Sequence, residues 1–240
     1  MKYTLTPQII AHLKINLTLA SYASNFDVLT KSEVLMRKIV LILTLITILS
    51  SFQTSTPKVL MYIQDNSMDL NFMLTNEAVK MKQLLEQAGF DVDIASISGE
   101  IIKSESMSIK PDIVLSEVNI GKYSGFIVPC MAPNDNEVSL LEKNFIKEVV
   151  KEGKPLAAQT SAVYLLAEAG VLNGKKFAME ENLLNMSPEF KNAVYSGIGV
   201  VQDGIIITSG TCPMMMKMTG LKDGTDELTN KLIQVIKSKN

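Results

Sequence analysis

The stretch KPLAAQTSAVYLLAEAGVL, from Lys154 to Leu172, decides the fold of this chain. It opens with the apolar run 155–158, breaks at the polar residues 159–161, and continues into helix-forming residues that end at Gly170. This order predicts a buried strand, a sharp turn and a helix packed on the sheet. A turn of this kind presents one side chain at the mouth of an α/β sheet, beside the free N–H groups of the helix. Thr160 occupies that position, where a nucleophile would lie.

The composition excludes several kinds of site. The chain has 240 residues, a formal charge of −2 and a single histidine, His12, which lies outside the domain proposed below. Ser–His and Cys–His dyads and histidine-ligated zinc are therefore excluded from that domain. Arg37 is the only arginine, so nucleic acid is not an expected partner. Cys130 and Cys212 are too few for a disulfide framework or a four-thiolate site. We expect no metal and no cofactor.

The residues before the domain have the pattern of an export signal. A methionine and two positive charges precede the apolar run Ile39–Leu49, and two serines follow it. This order is typical of a secretory signal peptide, and the run is short for a transmembrane helix, which needs roughly 20 residues. We expect residues 1–35 to be an upstream extension from a mis-called start, and residues 36–56 to be the signal peptide and linker. The protein would then be periplasmic or on the cell surface; a buried core helix and an uncleaved membrane anchor are alternatives.

From residue 57 to residue 240, predicted strands alternate with predicted helices. The strands are 58–63, 91–96, 112–115, 123–129, 155–158, 176–179 and a hairpin at 200–208 with an Asp-Gly turn; the helices are 72–88, 139–152, 162–169, 183–190 and 225–238. Such alternation predicts a doubly wound, mostly parallel sheet between helix layers.

Four segments resemble the ThiJ/PfpI superfamily, which is related to the class I glutamine amidotransferases. They are KVLMYI with the later LLEQAGFDVDIAS, then YSGFIVPCMAP, KPLAAQTSAVYLLAEAGVLNGKK and VVQDGIIITSGTCP. The resemblance covers nearly all of residues 58–240. It implies a flavodoxin-like α/β fold and, since members are often dimeric, a homodimer.

The resemblance places the family's functional positions on unusual residues. The nucleophilic cysteine falls on Thr160 and the adjacent histidine on Ser161, while the glycines of the oxyanion loop fall on Cys130 and Met131. A threonine hydroxyl needs a base to become a nucleophile, and the domain offers no histidine. Thr160 and Ser161 are therefore expected to be a degenerate catalytic site, and Thr160 also suits a helix N-cap.

A ligand site remains possible at the same position. The resemblance implies an acidic residue after the first strand, for which Asp69 is the nearest candidate and Asp65 the second. Gln159 and its two successors would form a polar pocket at a helix N-terminus, which attracts a carboxylate or another small anion. Met131 and Cys212 are expected at the same end of the sheet and complete the predicted ligand-binding set.

Three functions follow from these residues. The first is an exported ThiJ/PfpI-like protein without the cysteine-dependent activity of the family, which binds a small ligand at the elbow. The alternatives are a hydrolase (peptidase, deglycase or amidase-like) that uses Cys130, and a thiol redox module. In an oxidising compartment Cys130 and Cys212 could form a disulfide.

Overall fold

The computed structural model describes residues 35–41, 56–67, 69–131, 138–186 and 188–239, with the side chain of residue 186 excepted. The chain divides into two units, Met1–Ser55 and Thr56–Asn240. In the first unit residues 35–41 are helical, and the rest of the predicted signal peptide lies outside the described residues. None of the described helices has the length and apolar character needed to cross a membrane.

The second unit is built on a seven-stranded sheet, which confirms the predicted doubly wound α/β fold. The strands of the whole unit are β1 Lys58–Tyr62, β2 Asp91–Ser96, β3 Ile102–Lys103, β4 Ser108–Ile109, β5 Ile113–Val114, β6 Gly125–Val128, β7 Leu156–Gln159, β8 Lys176–Phe177, β9 Val194–Tyr195, β10 Val200–Asp203 and β11 Ile206–Ser209. The main sheet has the order β10-β11-β7-β6-β1-β2-β5. All of its pairs are parallel except the β10–β11 hairpin, whose turn contains Gly204 at φ +63°.

The central strands are buried on both faces, as parallel sheets require. On β1, Leu60 and Tyr62 belong to one apolar cluster, whereas Val59 and Met61 belong to the cluster on the opposite face. Because successive side chains of a strand alternate between faces, one apolar run supplies both halves of the core. The sheet therefore forms a fixed frame, and the loops at its edges carry the polar groups.

Six helical segments cover this sheet or extend its loops. They are α1 Leu70–Met73, which runs through a π-helical segment Leu74–Ala78 into α2 Val79–Gln87, then α3 Leu140–Lys151, α4 Ser161–Glu168, α5 Pro213–Thr219 and α6 Thr225–Lys239. Four 3-10 segments lie at Leu115–Glu117, Ile120–Lys122, Glu181–Met186 and Pro188–Asn192. Helix α3 begins with a reciprocal capping box between Ser139 and Glu142.

Two predicted helices differ from the structure, and one helix of the structure was not predicted. The helix expected at 183–190 is instead two 3-10 segments; Pro188 lacks an N–H group and disfavours helical geometry in the residue before it. The helix expected at 72–88 contains the π segment, which holds five residues. Helix α5 was not predicted, although Pro213 at its start and Gly220, with φ +74° after its end, are typical helix boundaries.

Candidate functional site

Four side chains meet at the carboxyl edge of the sheet, and we call them the crevice cluster: Glu77, Cys130, Thr160 and Cys212. Glu77 lies in the π segment after β1, and the other three follow β6, β7 and β11. In an open parallel sheet the carboxyl ends of the strands and the loops after them face the same crevice, and ligands bind there. The cluster therefore occupies the usual functional position of this architecture.

Thr160 has the strained backbone of a nucleophile elbow. Its φ is +45° and its ψ is −104°, and it is the only described residue other than glycine with a positive φ. A β-branched residue in this region is a conformational outlier, and such strain costs about 1–3 kcal/mol. The backbone N–H of Thr160 donates to the carbonyl of Ser209 at 2.7 Å, which helps to hold this geometry. The structure thus contains the sharp strand-to-helix turn that the sequence predicts, with Thr160 at its strained position.

The Thr160 hydroxyl has no base to activate it. The side chain is 1% exposed, and within the described ranges Oγ1 makes no hydrogen bond of ordinary geometry. It makes no side-chain cap to helix α4 either, so the predicted N-cap role is wrong. Because φ is positive, the hydroxyl is not placed where an N-cap oxygen meets the helix N–H groups. It lies instead near the sulfur of Cys212, whose pKa it helps to lower.

Glu77 is the acidic residue of the crevice. It is fully buried, and its Oε1 accepts the backbone N–H of Cys130 at 2.6 Å. Its Oε2 has no hydrogen-bond partner among the described residues. Burial raises the pKa of this carboxyl well above its usual range, and the nearby Cys212 sulfur raises it further, while the Cys130 N–H opposes both. Burial therefore favours the protonated form of Glu77.

Sequence reasoning missed Glu77 and named Asp69 and Asp65 instead. The carboxylate of Asp65 accepts hydrogen bonds from the N–H and hydroxyl groups of Ser98, away from the cluster. Asp69 precedes helix α1, where its backbone carbonyl accepts the N–H of Met73 at 2.9 Å. One signal for Glu77 was present, since it is an acidic residue among apolar positions of a helix, and such positions face the core.

Cys130 and Cys212 form a close thiol pair. Their sulfurs and a carboxylate oxygen of Glu77 all lie within 4.8 Å of one another, and both thiols are free. Cys130 is 6% exposed and Cys212 is 1% exposed. The structure thus brings together two cysteines that are 82 positions apart in the chain (212 − 130).

The two thiols have opposite protonation preferences. A hydrogen bond from Cys130 is the main reason that the pKa of Cys212 falls from 9.0 to about 7; the N–H groups of Met215 and Met214 also lower it, and burial opposes them. The same hydrogen bond, together with burial, raises the pKa of the donor Cys130 well above its usual range. These shifts favour Cys212 over Cys130 as the thiolate of the pair, whereas the sequence analysis placed the reactive thiol at Cys130.

Gln159 holds the loop that carries Cys212. Its Nε2 donates to the carbonyl of Thr211 at 2.7 Å and to the hydroxyl of Thr225 at 3.1 Å. The hydroxyl of Ser209 donates to the same carbonyl at 3.0 Å. Gln159 is fully buried, so the structure shows it as a positioning residue for the neighbour of Cys212. The predicted anion pocket at this residue stays a prediction.

The remaining predicted site residues lie around Cys130. The Cys130 sulfur lies 3.5 Å from the hydroxyl oxygen of Ser161, so Ser161 belongs to the edge of the cluster. Met131 is 1% exposed and packs in the apolar cluster that also contains Met73 and Ile127. A separate surface cavity, lined in part by Lys58 and Asp93, has no lining residue in common with the crevice cluster.

The comparisons with known proteins agree with this architecture. The family model described as the DJ-1/PfpI family matches residues 57–221. The chain belongs to the DJ-1/PfpI family. The sequence resemblance to the ThiJ/PfpI superfamily is thereby confirmed.

Curated relatives and solved structures are similar over most of their own lengths. The chain is 30% identical over 136 residues to Deglycase PH1704 of Pyrococcus horikoshii, which covers 52% of this chain and 76% of the relative. It is 26% identical over 176 residues to the Uncharacterized protease YoaZ of Bacillus subtilis, covering 70% of this chain and 83% of the relative. A ThiJ/PfpI domain protein from Brachyspira murdochii has a TM-score of 0.62 at 17% identity, with 77% of this chain and 99% of that chain covered, which supports the fold alone.

Proposed function

We propose that this protein is a thiol redox module, in which Cys130 and Cys212 form a reversible disulfide, and that it lacks the elbow-cysteine activity of its family. The single observation that carries this proposal is the buried pair of free thiols whose sulfurs lie within 4.8 Å of each other. The pair lies where the family usually places its reacting groups. Thr160, which replaces the elbow cysteine, has neither a thiol nor a base.

A hydroperoxide is a suitable oxidant for this pair. The Cys212 thiolate attacks the terminal oxygen, the O–O bond breaks, and the leaving alkoxide takes a proton to become an alcohol. Cys212 is then a sulfenic acid. The Cys130 sulfur attacks the Cys212 sulfur, the S–O bond breaks, and the hydroxyl leaves as water with the Cys130 proton. The two thiols lose two electrons in total, and the hydroperoxide gains them.

The site residues support this sequence of steps. The lowered pKa of Cys212 supplies a thiolate near neutral pH, and thiolates are the reactive form. Cys130 keeps its proton until the second step, when water leaves. Because the crevice is buried, a small oxidant reaches it more readily than a protein substrate does.

Oxidation of the full chain tests the proposal. Reduced, metal-free protein is treated with one equivalent of hydrogen peroxide, and its intact mass and non-reduced peptides are measured. We expect a loss of two protons in mass, a Cys130–Cys212 peptide, and recovery of both thiols with a reductant. In Cys130→Ser the reaction should stop at a sulfenic acid on Cys212, which a sulfenic-acid probe captures. Two free thiols after oxidation of the wild-type chain would overturn the proposal.

A second candidate is a cysteine-dependent activity like that named for the relatives, with Cys212 as the nucleophile. The pKa of about 7 favours Cys212 over Cys130, whose pKa is raised. Turnover of a glycated peptide, measured on the reduced chain, tests it. Activity that Cys212→Ser abolishes and Cys130→Ser retains would support this second function over the redox one.

The same proposal includes export, because a thiol pair forms a disulfide readily in an oxidising compartment. It rests on the signal-like pattern at residues 36–51. Fractionation of cells that express the full chain, followed by N-terminal sequencing, tests it. We expect a mature chain that begins after this pattern; an intact chain confined to the cytoplasm would contradict export.

A further inference from the structure

We propose that Glu77, Cys130 and Cys212 form a binding site for one Zn²⁺ ion in the reduced protein. The inference is independent of the redox function, since it uses only the reduced thiols. It also departs from the expectation of no metal, which rested on the missing histidine and the small number of cysteines.

The three donor atoms already lie close to the spacing of a metal site. Two sulfurs and a carboxylate oxygen are all within 4.8 Å of one another. Zinc–sulfur bonds of about 2.3 Å and zinc–oxygen bonds of about 2.0–2.2 Å at tetrahedral angles place the donors roughly 3.5–3.8 Å apart. The gaps between donors therefore need to close by at most about 1.3 Å, which side-chain rotation supplies.

Glu77 gives a second, independent observation that points to a ligand. Its carboxyl group is fully buried, yet Oε2 has no hydrogen-bond partner in the described part of the chain. Buried polar groups are nearly always paired, so an unpaired oxygen on a carboxyl group that lies beside two sulfurs needs an explanation. A cation bound between the three side chains would satisfy it.

The two sulfurs and one carboxylate oxygen favour zinc over other metal ions. Calcium and magnesium prefer oxygen ligands throughout, so two sulfurs exclude them. Two thiolates and a carboxylate suit zinc, which accepts sulfur, nitrogen and oxygen, whereas a purely soft metal such as Cu(I) gains little from the carboxylate. Three protein ligands leave a fourth position for water or a small molecule.

Each ligand is held by a different part of the fold. The N–H of Cys130 fixes the carboxyl group of Glu77, and the Gln159 side chain fixes the carbonyl of Thr211, the residue before Cys212. A site supported in this way loses little freedom when a metal binds. The ligands come from segments after three strands, β1, β6 and β11. Because the three ligands are far apart in the sequence, no local motif indicates the site.

Cobalt substitution tests the site directly. The reduced, metal-free full chain is titrated with Co²⁺ and then with Zn²⁺. We expect one equivalent of Co²⁺ to give sulfur-to-cobalt charge-transfer absorption and the visible bands of tetrahedral cobalt, both of which Zn²⁺ removes. Loss of an outer partner typically weakens metal binding 10–100-fold, so loss of a ligand in Cys130→Ser, Cys212→Ser or Glu77→Gln should weaken it by more than about a hundredfold. Asp69→Asn, the matched acidic control, should bind like the wild type.

The outcomes separate this site from the redox proposal. Absence of the charge-transfer bands, or unchanged zinc affinity in Glu77→Gln and Cys130→Ser, would overturn the zinc site. If a variant does not fold, measurements on the wild-type protein still test the zinc site. Zinc must then raise the unfolding temperature of the wild-type protein by mass action and must protect both thiols from alkylation. If the chain binds zinc but forms no disulfide after peroxide treatment, the zinc site is supported and the redox function is overturned. If the chain forms the disulfide but shows no sulfur-to-cobalt charge-transfer absorption, the redox function is supported and the zinc site is overturned.

Discussion

Removing the sulfur of Cys130 should raise the pKa of Cys212. The hydrogen bond from Cys130 is the largest cause of the fall in the Cys212 pKa from 9.0 to about 7. In Cys130→Ala that donor is lost, while burial continues to disfavour the thiolate. We expect the titration midpoint of Cys212 to rise by about one pH unit or more, so that the ratio of thiolate to thiol at a fixed pH falls at least about tenfold. Cys130→Ser keeps a donor and should show a smaller rise.

The measurement is the ultraviolet absorbance of the thiolate as a function of pH. It needs no reagent to reach a side chain that is 1% exposed. Cys130→Ala leaves Cys212 as the only cysteine, so its titration is free of overlap. The curve of Cys212→Ser is subtracted from that of the wild type, and a chelator keeps all samples free of metal. A midpoint in Cys130→Ala equal to that of the wild type, or below it, would refute the assignment of Cys130 as the donor.

Substitutions at three further positions test the surroundings of the pair, each by thermal or denaturant unfolding. Glu77→Gln should change the free energy of unfolding by less than about 1 kcal/mol, because glutamine has the shape of the protonated acid. Glu77→Ala leaves the Cys130 N–H unpaired and should lower the free energy of unfolding by about 1–3 kcal/mol. Since burial raises the pKa of native Glu77, its contribution to wild-type stability is lost as pH rises above 4.5 towards the raised value, and Glu77→Gln should remove that slope. The free energy of unfolding of Thr160→Gly should exceed that of Thr160→Ala by about 1 kcal/mol, because glycine adopts a positive φ without strain and alanine does not. A more stable alanine variant would count against backbone strain at this position. Gly224→Ala places a methyl group 2.9 Å from Thr211 Oγ1 and 3.0 Å from its carbonyl oxygen, and should cost about 1–3 kcal/mol; an unchanged stability would show that this loop yields easily.

The regular elements were largely predictable because their signals are local. The apolar run at residues 59–63 and the Asp-Gly turn of the hairpin need only neighbouring residues to specify them. The 3-10 segments around Pro188 and the π segment before helix α2 were not predicted. In both, the backbone departs from a regular period, and the tertiary packing of the segment decides the outcome.

The site was predictable only in part. The elbow at Thr160, and the absence of its nucleophile and base, follow from the residues in order. The choice of Cys212 as the thiolate does not, because its pKa depends on a donor from another strand. Glu77 was missed for a related reason: a carboxyl group on a helix is normally exposed, and only the π segment and the Cys130 N–H show where this one lies.

The sequence by itself determined the fold class, the sharp turn at residues 159–161 and the residue types that stand at this turn. These features depend on hydrophobic periodicity and on residue types, both of which can be read directly from the sequence. Only the tertiary structure decided that Glu77, Cys130 and Cys212 meet, and which thiol is ionised. The packing at the sheet edge brings distant segments together and buries their ionisable groups. Neither effect can be read from any single stretch of the sequence.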